Sequence, residues 1–150
     1  MTSRSLQLVV SCMLCAVIAG CRTPDHSATF LDERSQAKIT AELYSAHPHL
    51  AEYDRSIRVT SRSGLHRTQS LSMDTGGYAA INVYACTGGV VMLDSFGEIL
   101  RVNLDEATFA SGTCEGAWRY LGVFDGSVDA PWSFHPASER ADAKLEMRGG

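Results

Sequence analysis

The sequence predicts an α+β domain, with one N-terminal helix packed on a curved antiparallel sheet of about six strands. Three observations carry that expectation. Ile39, Leu43, Ala46 and Leu50 recur at the 4-3-4 spacing of one helix face. Further along, apolar and polar residues alternate in short runs such as Ser56-Ile57-Arg58-Val59-Thr60-Ser61. Turn signals separate these runs, among them Asp74-Thr75-Gly76-Gly77, Thr87-Gly88-Gly89 and Asp94-Ser95-Phe96-Gly97.

Taken in order, the helix is expected over 30–46. Thr29 or Asp32 would cap its start, and Asp32 and Glu33 suit the positive end of its dipole. His47-Pro48 ends it, because the residue before proline is biased away from helix, and Pro48 then opens a short turn to Tyr53. The first strand, 56–61, turns Ile57 and Val59 inward against Arg58 and Thr60. A second, 68–73, turns Leu71 and Met73 inward. The clearest strand is 78–87, with Ile81, Val83 and Ala85 on one face and Tyr78, Ala80, Asn82, Tyr84 and Cys86 on the other. Gly88-Gly89 fits the positive φ of a tight hairpin, so Val90-Val91-Met92-Leu93 and then 98–104, with Leu100, Val102 and Leu104 inward, complete a three-stranded meander. A short helix or turn is expected over 105–110. The last clear strand is 117–124, with Trp118, Tyr120 and Phe124 on one face. Asp125-Gly126 turns the chain into a short extended Pro131-Trp132-Ser133-Phe134. The charged, alanine-rich 137–150 reads as a frayed helix or flexible tail.

The first twenty residues read differently. Arg4 precedes an apolar run, Leu6 to Ile18, broken by Gln7 and Ser11 and bounded by small residues, the pattern of a secretory signal. A spanning helix needs about 20 predominantly apolar residues, more than this run supplies. Its end, Ile18-Ala19-Gly20-Cys21, resembles the lipobox of bacterial lipoproteins. That resemblance implies a signal over 1–20, a diacylglyceryl group on Cys21 as the first mature residue, and a third acyl chain on its amine. Two or more such signals hold a protein stably on a membrane. In Gram-negative lipoproteins Asp after the lipidated Cys retains the protein at the inner membrane. Arg22 stands there, so the resemblance implies the outer membrane, facing the periplasm. Residues 21–29 would be a lipidated tether, and 30–136 the single domain.

Cys12 and Cys15 would leave with the signal and Cys21 would carry lipid, so Cys86 and Cys114 are left to form a disulfide in an oxidising compartment. With Arg4 gone, 12 of the 13 Lys and Arg remain against all 17 Asp and Glu, a side-chain sum of −5. That acidic balance, with export, argues against nucleic acid as a partner. The charge is segregated: no acid occurs over 55–73, whereas Arg55, Arg58, Arg62 and Arg67 do, with His66 beside them. Such a stretch either steers a partner or is a solvated strand face. Trp118, Tyr120, Phe124, Trp132 and Phe134 fall within 17 residues, as core or as an anchor patch. The candidate partner-binding residues are therefore Arg55, Arg58, Arg62, Arg67, Trp118 and Trp132.

No catalytic residue, metal site or cofactor motif is assigned. Ser63-Gly64 and Ser111-Gly112 lack the flanks of a nucleophile elbow. His47 and His49, near Glu52 and Asp54, would need another ligand to hold a metal. Asp94, Glu98 and Asp105 lack a calcium-loop arrangement and read as turn acids. The leading expectation is a membrane-anchored accessory module that binds or supports an envelope protein. Two alternatives stand beside it. One is a small enzyme or ligand-binding lipoprotein. The other is an inhibitor or immunity protein against a cell-wall hydrolase, since small β-rich lipoproteins with one disulfide include inhibitors of c-type lysozyme. Tyr84-x-Cys86 before Gly88-Gly89 resembles their first half, but Ser111-Gly112-Thr113-Cys114 departs from their inhibitory loop, and that family is not assigned. Replacing Cys21 by Ser is expected to move the protein from the membrane fraction to the soluble fraction; continued sedimentation with membranes would contradict the lipid anchor.

Overall fold

A computed structural model describes residues 22–76, 80–95, 97–127 and 130–141. These residues form ten strands: β1 (His26–Leu31), β2 (Lys38–Ser45), β3 (Tyr53–Thr60), β4 (His66–Asp74), β5 (Ile81–Ala85), β6 (Val90–Ser95), β7 (Glu98–Asn103), β8 (Thr108–Ser111), β9 (Arg119–Ser127) and β10 (Ala130–Pro136). β1–β4 make a four-stranded meander. The other six make a second sheet in the order β10-β9-β5-β6-β7-β8, and every pairing in both sheets is antiparallel.

The fold is all-β, which corrects the expected α+β architecture. No helix occurs among the described residues, and 30–46 is the end of β1, a turn and β2. The physical reason is local. Asp32 Oδ2 accepts bonds from Ser35 N (2.8 Å) and Ser35 Oγ (2.7 Å), an Asx-type turn, and Gln36 takes a φ of 59°. The bonds from Asp32 N to Ala37 O and from Gln36 N to Asp32 O then close a hairpin. A spacing of four residues suits both periods, so Ile39 and Leu43 share a face in a strand as well as in a helix. Ala41 completes the period of two: Ile39, Ala41 and Leu43 are buried, whereas Ala46 and Leu50 are exposed.

The sheets pack face to face around one apolar layer. Ala28, Ile39, Ala41, Ile57 and Val59 come from the first sheet, and Ile81, Val83, Val91, Leu93, Leu100, Val102 and Phe124 from the second. The inward sets expected for β3, β5 and β7 are therefore found. Burying each large aliphatic or aromatic side chain contributes about 1.5–3 kcal/mol. Along one side the sheets are stitched by β10. Phe134 stacks on Phe30 of β1 (4.6 Å between ring centroids) and meets Phe124 of β9 (5.1 Å), while Trp132 Nε1 donates to Ala41 O of β2 (3.3 Å).

Of the short helix or turn expected over 105–110, the turn is found over 105–107, and 108–110 belong to β8. Three further expectations are corrected. Asp125-Gly126 lies inside β9 rather than in a turn. Met73 is half exposed, because the β3–β4 ladder shifts register between Tyr53 and Arg55. Trp118, Tyr120 and Phe124 do not share a face. Tyr84 pairs with Tyr120 but Val83 with Gly122, so a bulge at Leu121 turns Phe124 into the core and leaves Tyr120 and Trp118 on the outer face, against Tyr84.

The chain leaves β8 at one edge of the second sheet and must pass β7, β6 and β5 to reach β9. Four strand spacings of about 4.8 Å make about 19 Å, within reach of the seven-residue connection 112–118. Cys86 and Trp118's partner Tyr84 both lie on the outer face of the sheet, and Cys114 is bonded to Cys86 with Cα atoms 6.1 Å apart. The bridge thus pins the crossover at its middle. In the chain-entropy account, closing a loop of 28 residues stabilises the fold by about 3–4 kcal/mol.

Gly122 (φ +149°) lies under β10, where a Cβ would meet His135 O, come 2.6 Å from Phe134 Cζ and 2.9 Å from Pro136 Cα. Gly122→Ala is expected to lower stability by about 1–3 kcal/mol through this overpacking. Thermal unfolding checks it, and an unchanged midpoint would contradict the β9–β10 packing.

Candidate functional site

The antiparallel register sorts the first sheet into two ends. At one end His26 pairs with Leu43, Ser45 with Tyr53 and Tyr53 with Asp74, and the β2–β3 loop, 46–52, closes over them. At the other end Leu31 pairs with Lys38, Lys38 with Thr60 and Thr60 with His66, beside the 32–37 and 61–65 turns. β3 spans eight residues, so the ends stand about 24 Å apart.

Cys21 lies outside the described residues. Arg22, which follows it, is fixed at the 46–52 end. Its guanidinium donates to Asp54 Oδ2 (3.1 Å) and to Ser45 O, and stands 5.5 Å from the centroid of the Tyr44 ring. Asp25 bonds through its N–H to Leu43 O (2.9 Å) and accepts Ser45 N–H at its carboxylate (2.7 Å). Since β1 starts at His26, most of the stretch expected as tether is part of the fold.

The four arginines singled out from the sequence do not act together. Arg55 is 3% exposed. Its Nε donates to Ser72 O of β4 (2.7 Å) and its Nη1 to Ser95 Oγ of β6 (2.6 Å), so it links the two sheets and is not a surface residue. Burial pushes its pKa down, against the opposing pull of Asp74 and Glu98. Arg58 stands on the outer face and pairs with Glu42. Arg62 and Arg67 are exposed, at the end remote from Arg22. Trp132 is packed against the core and Trp118 against Tyr84, so both are half-buried.

The remote end gathers residues that are scattered in sequence. The register brings Arg34 and Lys38, both exposed, to the same end as Arg62, His66 and Arg67, and with them Leu31 and Leu65, 45% and 58% exposed. The local acids there are Asp32, whose carboxylate is used in its own turn, and Glu33. This end is a basic surface with two apolar side chains in it. Arg34 and Lys38 were missed in the sequence because a helix over 30–46 would have separated them from Arg62.

A second arrangement was also invisible in the sequence. Glu42, only 3% exposed on the outer face of the first sheet, accepts from Arg58, from Tyr44 OH (3.0 Å) and from Ser56 Oγ (3.2 Å). Burial, then the Glu42 carboxylate, pushes the Tyr44 hydroxyl above its ordinary pKa. With three donors on the carboxylate, the arrangement braces β2 against β3.

The other titratable candidates stay apart. Glu98 opens β7 and Asp105 lies past its other end. Glu98 accepts Ser72 N–H (2.8 Å), and Asp94 is buried within β6. His47 and His49 sit in the exposed 46–52 loop, with His49 N–H donating to His47 Nδ1 (3.2 Å). Among the described residues no three of His, Cys, Asp and Glu converge where they could hold a metal ion. Comparison with protein-family models, curated proteins and solved structures finds no match, so function must be argued from this chain's own residues.

Arg58→Ala would leave the buried Glu42 carboxylate with neutral donors alone, at an expected cost of about 1–3 kcal/mol. Glu42→Gln in the same chain should recover most of it, as denaturant titration can measure. An equal loss in the double variant would contradict the pairing.

Proposed function

We propose that this protein is a lipid-anchored accessory module of the bacterial envelope. In a Gram-negative host it would be held on the outer membrane and face the periplasm. It binds an acidic protein partner through the end of its first sheet that carries Arg34, Lys38, Arg62, His66 and Arg67. One observation carries this reading. The residue that follows the lipobox cysteine is docked at one end of the sheet, while the basic turns stand at the other, about 24 Å away. Lipid on Cys21 would hold the first end down and leave the second directed outward. The segregated charge favours an acidic surface, since complementary fields speed encounter and fix orientation. Leu31 and Leu65 would supply apolar contact within that basic rim.

The lipidated full chain, used as bait in detergent, is expected to retain a specific acidic envelope protein in a salt-sensitive manner. Arg62→Glu with Arg67→Glu should weaken that retention about tenfold or more. Both substituted side chains are exposed, so the fold should stand. Equal retention by the two chains would overturn the basic end as the docking surface. Recovery of a cell-wall hydrolase whose turnover falls on binding would narrow the module to an inhibitor.

A further inference from the structure

The end that holds Arg22 has a surface character of its own. Leu50 in the 46–52 loop is 54% exposed, and Met73 near the end of β4 is 50% exposed. Large apolar side chains this exposed are few among the described residues. Leu31 and Leu65 are the other two, and both lie at the opposite end. The loop is held in place: Ala46 N–H donates to Glu52 O (2.8 Å), Ser45 Oγ to His47 O (3.1 Å) and His49 N–H to His47 Nδ1 (3.2 Å). Gly76, just past β4, packs beside Ala51 O, so the end of β4 and the loop share one surface.

Several of the acids at this end are engaged. Asp54 takes Arg22, Asp25 takes Ser45 N–H, and Asp74 accepts Gly76 N–H (3.2 Å). The loop itself offers His47, His49 and Leu50, and its one acid, Glu52, is half-buried at its base. This surface suits apolar contact more than electrostatic attraction.

We propose that Leu50 and Met73 enter the interface of the bilayer, so that the 46–52 loop is a second membrane contact beside the lipid on Cys21. The inference rests on the lipid anchor proposed above. What identifies the occupant is where the described chain begins. Arg22 is bound to Ser45 and Asp54 at the base of this loop, and the lipobox cysteine is the residue before it; consecutive Cα atoms lie about 3.8 Å apart. An acyl chain attached there would leave little distance between this end of the domain and the membrane. Apolar side chains on a peripheral protein settle about 5–10 Å into the headgroup and acyl boundary, a depth that exposed Leu and Met side chains on a protruding loop can reach. The basic end cannot share this contact, since it stands about 24 Å along the sheet. The lipid and the loop together would restrain the tilt of the domain and keep the Arg62–Arg67 end directed away from the bilayer.

The test uses the lipidated full chain in vesicles of phosphatidylethanolamine and phosphatidylglycerol with brominated acyl chains. Leu50→Cys and, separately, Leu65→Cys each add one free thiol for an environment-sensitive dye, because Cys86 and Cys114 are bridged and Cys21 is acylated. Flotation first shows whether the protein is bound. The expected result is flotation of both, with the dye at position 50 blue-shifted and losing most of its emission to bromine and the dye at 65 unchanged. Flotation with an unquenched dye at 50, or with stronger quenching at 65, overturns the contact and leaves the anchor standing. Failure to float overturns the anchor and the contact with it.

Discussion

Two antiparallel sheets with one apolar face each can be stable only against one another, and every other feature of this molecule follows from that pairing. The four-stranded sheet supplies Ile39, Ala41, Ile57 and Val59, and the six-stranded sheet Ile81, Val83, Leu93, Val102 and Phe124. Beyond this layer Arg55 links β3 to Ser95 of the facing sheet, and Glu98 of that sheet accepts Ser72 N–H. The guanidinium is held at an unfavourable desolvation cost, offset by hydrogen bonds and by Asp74 and Glu98. The Phe30–Phe134–Phe124 stack joins the sheets through β10.

That constraint also fixes where the two proposed contact surfaces lie. Once the inner faces are set, antiparallel register decides which turns share an end. Arg22, the 46–52 loop and Met73 fall together, and the 32–37 and 61–65 turns fall opposite. The Cys86–Cys114 bridge works on the other sheet, where it pins the 112–118 crossover over the face that carries Tyr84. The disulfide and the polar arrangement around Glu42 brace the fold. The two ends of the first sheet carry the exposed side chains on which the proposed contacts rest.

Much of the second sheet was legible in the sequence. Gly88-Gly89, followed by Val91 and Leu93 and then by Leu100 and Val102, gives alternation and turn chemistry that point to one answer, and the meander is there. The disulfide was legible by elimination of the other cysteines. The first hairpin was not, because Ile39 and Leu43 satisfy periods of 2 and 3.6 alike. The deciding features, Asp32 capping its own turn and the positive φ of Gln36, are conformational and have no distinctive composition. The bulge at Leu121 was hidden for a similar reason: one extra residue reverses which aromatics face inward and leaves no compositional trace. The proposed docking surface was half legible. Arg62 and Arg67 stand out as part of an acid-free run, but their company with Arg34 and Lys38 depends on a pairing that only the fold supplies. Arg55, from the same run, is structural.

Anchor and partner are proposed to sit at opposite ends of the first sheet, and photocrosslinking in living cells tests that placement. A photoreactive residue is placed at position 50 in one full-length chain and at position 65 in another. The expected result is a discrete protein adduct from 65 and none from 50, with both chains in the membrane fraction. A protein adduct from 50 and none from 65 would contradict it.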